Sequence, residues 1–232
     1  MRRPRWLWAV FLLAASDPAA PGSLYLDGIG LGGGAVSMNL ESFQEHKFKN
    51  TIAQQYDFSC GSAALATLLT YNYNISVSEQ DVFREMFENG DRQVIAASGF
   101  SLLDVKNYLI RHGLEANGFR APLIKLAEVR MPAIVLINAR GYRHFVVLEG
   151  IRDGWALLSD PANGMRRLPV GVFEDEWSGV FFLILTNADR AQLSFNNPRR
   201  WAAAPAPPWD LMRYSIDLAT LAQPAMLSLG RF

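Results

Sequence analysis

Apolar residues recur at helical spacing between residues 60 and 113, then run in short continuous or alternating blocks between 133 and 185. That change of period predicts helices first and strands afterwards. The run from Cys60 to about Tyr71 holds Ala, Leu and Thr with no charge, the pattern of a helix buried on all sides, and residues 72–74 read as its exit. Ser78 followed by Asp81 reads as an N-cap with an acidic third position, opening a helix to about Glu88 that Asn89-Gly90 ends. Ser101 with Asp104 opens a third, with Leu102, Val105, Leu109 and Ile110 facing inward and Gly113 as its stop. These stripes are core faces and carry no chemistry.

The second half predicts a short helix over 122–129, then strands over 133–137, 143–151 and 155–159. Asp153-Gly154 is the hairpin signal between the last two. Residues 169–177 read as a short helix and 180–185 as the strand that closes the sheet. Helices followed by antiparallel strands predict an α+β domain, with N-terminal helices packed on one antiparallel sheet.

The ends of the chain look different. Arg2, Arg3 and Arg5 precede an apolar run over 6–15 that is too short to span a bilayer, and small residues follow. This predicts a signal peptide over 1–16, cut as late as residue 20, and hence an exported, periplasmic protein. An uncleaved N-terminus acting as an inner-membrane anchor is the competing reading. Residues 17–46, with Gly32-Gly33-Gly34, predict a flexible lead-in, though 35–43 alternates weakly enough for an edge strand. The globular domain is expected over 47–186. Residues 187–232 read as a Pro/Ala-rich extension, with one weak amphipathic helix over 209–223.

Composition narrows the function. Half of the 232 residues are hydrophobic, enough for one core, and 22 basic residues balance 22 acidic ones. No basic stripe offers itself to nucleic acid. No Cys/His cluster has metal-ligand spacing, and no cofactor is implied.

The sole cysteine is Cys60, in Q-Q-Y-D-F-S-C-G-S-A-A. A single cysteine in an exported protein makes no internal disulfide and stands out as a reactive thiol. Placed at a helix N-terminus, it sits by unpaired N–H groups and the positive end of the helix dipole, which favour a thiolate nucleophile. Ser59 is the N-cap candidate. Gly61, Ser62, Ala63 and Ala64 leave room for another backbone or a substrate to approach.

The strands supply partners. His144 opens a strongly apolar strand, and Asp160, before Pro161, ends the next one across the hairpin. Adjacent antiparallel strands can set an imidazole beside a carboxylate that fixes its tautomer. Taken singly, His144 fits a structural histidine, Asp160 a turn residue and Cys60 a small core residue. Their joint spacing is what points to catalysis: Gln54 lies six before Cys60, His144 lies 84 after it, and Asp160 follows by 16. His46 and His112 lie in polar, exposed contexts.

That arrangement resembles the C39 peptidases, papain-like cysteine proteases that remove leader peptides after a double glycine. The matching pieces are Gln54, then Cys60-Gly61-Ser62-Ala63-Ala64-Leu65, then Tyr142-Arg143-His144-Phe145-Val146-Val147, then Asp160-Pro161-Ala162. The resemblance covers about residues 47–185 and implies the papain-like fold. It also implies Cys60 as nucleophile, His144 as acid and base, Asp160 as its orienting acid and Gln54 in the oxyanion hole. Ser59 stands where the family commonly has an acidic residue, and Arg143 where many members have Gly. These departures bear on substrate preference.

Neither a P-loop nor a six-helix membrane region is evident, so the expectation is a stand-alone form. It resembles in particular the exported C39-type proteins of functional-amyloid secretion. The implied partner is a secretion-system polypeptide with a Gly-Gly or similar small-residue site. Two alternatives remain at this point: a non-hydrolytic C39-like domain that binds an unfolded secretion substrate, and a transglutaminase-like acyltransferase.

Overall fold

The computed structural model describes residues 23–26, 36–39, 43–139 and 141–205, in two units divided after Ser42. In the first unit β1 (Ser23–Leu26) pairs antiparallel with β2 (Val36–Asn39). The weak alternation over 35–43 therefore does give a strand, but one paired with residues expected to be a flexible lead-in. The signal-peptide segment, the Gly32-Gly33-Gly34 run and the weak helix over 209–223 lie outside the described residues.

The second unit begins with α1 (Phe43–Phe48) and the buried helix α2 (Cys60–Asn72), followed by α3 (Glu79–Asn89), α4 (Arg92–Ser98) and α5 (Leu102–Arg111). Then come β3 (Ala116–Arg120), α6 (Leu123–Val129), β4 (Ala133–Ala139), β5 (Tyr142–Arg152) and β6 (Trp155–Asp160). β7 (Gly164–Pro169), α7 (Val170–Glu176), β8 (Trp177–Ile184), α8 (Ala188–Ser194) and α9 (Pro198–Ala203) complete it. Six strands form one antiparallel sheet in the order β3-β8-β4-β5-β6-β7. The fold is α+β, with its helices first in sequence, as the change of hydrophobic period predicts.

α2 is the central helix. Ala63 to Leu69 are all buried, because a helix made of small and aliphatic residues can be covered on every side. Gly61 is needed sterically: a Cβ there would sit 2.9 Å from that of Phe100. The caps of α3 and α5 form as the sequence implies, with Ser78 accepting from Asp81 and Ser101 closing a full capping box with Asp104. The β5–β6 hairpin turns at Asp153-Gly154 with both φ values positive, 53° and 78°, as a type I′ turn requires.

Several expectations need correction. Ser59 precedes α2 but does not cap it; its hydroxyl instead bonds Tyr56 N and O, each at 3.1 Å, closing the preceding turn. Ile110 is exposed on α5, and Tyr108 takes the inward position, because the buried arc falls over 105, 108 and 109. α4, β3 and β7 have no strong apolar period and went unpredicted; β3 and β7 are the sheet's edge strands, where charge and glycine are tolerated.

The largest difference concerns the extension. Residues 187–205 are not an appendage to the domain: they pack on it. Trp201 and Ala204 are buried with Leu157 of β6 and Met165 of β7, and the guanidinium groups of Arg152 and Arg167 cover the Trp201 ring at 4.6 and 5.6 Å. Arg200 is buried and paired with Glu149 of β5. A Pro/Ala-rich composition hid two anchors, one aromatic and one cationic.

Candidate active site

α2 delivers Cys60 to the floor of a cleft of about 690 Å³. One wall comes from α4 and the residues after it, Ala96 to Leu102; the other comes from β5 through Tyr142, Arg143 and Phe145. Cys60 is the helix's first residue, so the N–H groups of the first turn point at this mouth without intrahelical partners. Cys60 is 7% exposed and lines the cleft, so its thiol is reachable from there but otherwise enclosed.

β5 and β6 supply the other two groups. His144 Nε2 donates to Asp160 Oδ1 at 2.8 Å, and both residues are buried. Asp160 is saturated with donors. Oδ1 also accepts from the N–H groups of Ala162 and Asn163, at 2.9 and 3.1 Å; Oδ2 accepts from Asn163 Nδ2 at 3.1 Å and Arg166 Nε at 2.9 Å. This is why the D-P turn matters: the chain folds back so that its own amides bind the carboxylate. Burial alone would raise the Asp160 pKa, but the His144 bond and charge, then Arg166 and Asn163, outweigh it and hold the group well below the usual carboxylate range.

For His144 the largest single influence is also burial, which disfavours the charged ring. The bonds and charges of Asp160 and Cys60 together reverse it and lift the pKa to about 9. The second ring nitrogen, Nδ1, is buried without a hydrogen-bond partner of its own, while Cys60 is near enough to act on the ring. Nδ1 is thus the nitrogen left for proton exchange at the cleft.

Gln54 reaches the same corner. Its N–H donates to Pro161 O at 3.0 Å, tying the segment before α2 to the Asp160-Pro161 turn. Its Nε2 donates to Tyr56 O at 3.1 Å and has a second N–H to give, while Oε1 is buried without a partner. Gln55 points away, exposed and bonded to Gln80 of α3 at 3.2 Å. The structure therefore brings Cys60, His144 and Asp160 together and sets Gln54 beside their turn. His46, in α1, and His112, bonded to Glu85 at the end of α5, take no part.

Sequence reasoning missed Tyr142, Asn163 and Arg166. The Tyr142 hydroxyl donates to Asp57 O at 2.9 Å, and its ring centroid lies 5.5 Å from that of His144, so it roofs the site from β5. Burial, then the Cys60 charge, raise its pKa. The D-P-A-N run was a usable signal for Asn163, since a turn Asp commonly binds the amides two and three residues on. Nothing local marked Arg166. Among the described residues, no group of three or more His, Cys, Asp or Glu is placed to hold a metal ion.

A buried Cys–His–Asp constellation in a cleft, at the junction of a central helix and an antiparallel sheet, is the arrangement of a papain-like peptidase. The family model for the Peptidase C39 family matches residues 48–189, and the chain belongs to that family. It is 36% identical over 188 residues to a Pseudomonas fluorescens protein described as a probable functional amyloid protease, FapD, across 81% of this chain and 83% of that one. The Pseudomonas aeruginosa protein of the same description is 38% identical over 154 residues, 66% of this chain and 68% of its own. Among solved structures, the peptidase domain of Streptococcus ComA, a bi-functional ABC transporter, aligns with TM-score 0.50 and 20% identity over 58% of this chain and 96% of the domain, a likeness of fold. The papain-like α+β reading holds, and the protein is a peptidase.

Proposed function

We propose that this is a cysteine endopeptidase that cuts after small residues in an exported polypeptide, with Cys60 as nucleophile, His144 as acid and base, Asp160 as its orienting acid and Gln54 as an oxyanion donor. The observation that carries this reading is the buried His144–Asp160 pair facing Cys60 at the mouth of α2. The Cys60 sulfur attacks the scissile carbonyl carbon, and the oxygen's developing charge is met by Gln54 and a first-turn N–H of α2. His144 gives its Nδ1 proton to the leaving amine as the C–N bond breaks, leaving a thioester on Cys60. It then takes a proton from water, whose oxygen attacks the thioester and releases the acid product.

Small residues on the acyl side suit a cleft bordered by Ala96, Ala97, Ser98 and Gly99. The resemblance to the Pseudomonas proteins supports a substrate in functional-amyloid secretion, and the Arg2–Ala15 pattern supports a cut made outside the cytoplasm, with an uncleaved N-terminus as a route to the membrane. The test is a pair of peptide sets, one with Gly-Gly before the cut and one with bulky residues there. Cleavage of the first set alone is expected. Equal cleavage of both removes the small-residue claim, and binding without cleavage moves the reading to a non-hydrolytic binding domain.

Two further outcomes are expected at this site. Gln54→Ala lowers kcat on the order of 10²–10³-fold, the usual cost of one oxyanion donor, while Gln55→Ala has little effect; steady-state kinetics on both variants checks the ranking. The pH profile follows from His144. Its pKa of about 9 means the ring is protonated through neutral pH, so kcat/KM falls as pH rises through about 9. Asp160→Asn moves that limb to lower pH. Stability carries the same sign. The His144 contribution is complete below the ordinary value of 6.5 and is lost between there and about 9, whereas the Asp160 contribution is lost as acid protonates it.

A further inference from the structure

On the hairpin side of the β5–β6 ladder, Arg152 faces Trp155, Ile151 faces Ala156 and Gly150 faces Leu157. On the far side, Leu148 faces Leu158 and Val147 faces Ser159. One residue, Glu149, is left over as a bulge. Opposed residues in an antiparallel ladder share a face, and every second residue along a strand returns to it. Continuing the far-side register sets Asp160 opposite Val146, on the face that His144 also occupies. Had the hairpin register run on unbroken, Asp160 would oppose Val147 and its carboxylate would leave that face. The extra residue is what lets His144 and Asp160 meet.

We propose that Glu149 and Arg200 are positioning residues that lock this bulge, so that the segment after β8 holds the His144–Asp160 pair in register. Glu149 is wholly buried. Its carboxylate accepts from Asn72 Nδ2 at 2.7 Å, Ser159 Oγ at 3.0 Å and the Arg200 guanidinium, which also reaches Tyr71 O. Its carbonyl, turned out of the ladder, accepts from Asn196 N at 3.0 Å, and Asn196 Nδ2 donates to Ile151 O at 3.0 Å. Gly150 permits this approach, since a Cβ there would lie 2.2 Å from Asn196 Oδ1. A one-residue slip would put Leu148 or Gly150 in the cage and strand Arg200 and Asn72 without their carboxylate, a heavily penalised state. Arg200 and Asn196 lie beyond residue 189, where the family match ends.

The proposal rests on His144 and Asp160 being catalytic, and its test separates the two. The double variant Glu149→Met with Arg200→Met removes both charges without orphaning either. Backbone NOEs between Val147 and Ser159 report the register, the His144 Nε2 proton reports its bond to Asp160, and kinetics on a Gly-Gly peptide reports the consequence. Loss of the NOEs and of the Nε2 signal is expected, with kcat down on the order of 10²-fold and KM nearly unchanged. A folded double variant with native NOEs, Nε2 signal and kcat overturns the proposal. If the double variant does not fold, Glu149→Gln is read by the same signals: a partial loss in all three supports the lock, and native values overturn it. Failure of the catalytic reading shows differently, as undiminished turnover in Asp160→Asn with the register NOEs intact.

Discussion

Replacing Cys60 by alanine is expected to abolish peptide hydrolysis, with turnover falling on the order of 10⁴–10⁶-fold, while the protein stays folded. The magnitude follows from the chemistry: without sulfur there is no thioester, and His144 and Gln54 are left around a reaction they do not start. The fold should hold because alanine at the head of α2 is a strong helix former and the change removes only one sulfur atom at the edge of the cleft. Progress curves on a Gly-Gly peptide, with circular dichroism of the same samples, check both halves. Hydrolysis that survives in the alanine variant would remove Cys60 from the mechanism.

Truncation after Thr186 is expected to cost most of the domain's stability, with Tm falling by roughly 12 °C or more. Two losses add. Removing Arg200 leaves Glu149 as an uncompensated buried charge, worth about 3–5 kcal/mol. Removing Trp201 uncovers Leu157 and Met165, and losing a buried Trp costs about 3–5 kcal/mol. Against a typical domain stability of about 5–15 kcal/mol the sum is severe. Thermal unfolding of the truncated chain against the full one measures it; an unchanged Tm would mean that α8 and α9 contribute nothing to the fold.

That second expectation reverses what the composition of the tail implies, and the reason is physical. Residues 196–205 have no apolar period, so their docking depends on single residues meeting partners far away in the chain. Arg200 finds Glu149, 51 residues earlier, and no local pattern encodes that. The same limit hid Arg166, Tyr142 and the bulge. Where the signal was local it was legible. The uncharged stretch after Cys60 gave α2, Ser101 with Asp104 gave its capping box, and Asp153-Gly154 gave the hairpin. The candidate site lay between these cases. Residue types and spacing pointed to Cys60, His144, Asp160 and Gln54, but spacing alone does not show which face of the sheet Asp160 takes. That depends on one extra residue in β5.

The most direct measurement compares protein N-termini in cells carrying the native protein and in cells carrying Cys60→Ala. The predicted result is at least one exported protein whose new N-terminus follows a Gly-Gly or similar small-residue pair in the native strain and is missing from the variant. Identical N-terminal inventories in the two strains, with both proteins present and folded, would contradict a Cys60-dependent peptidase.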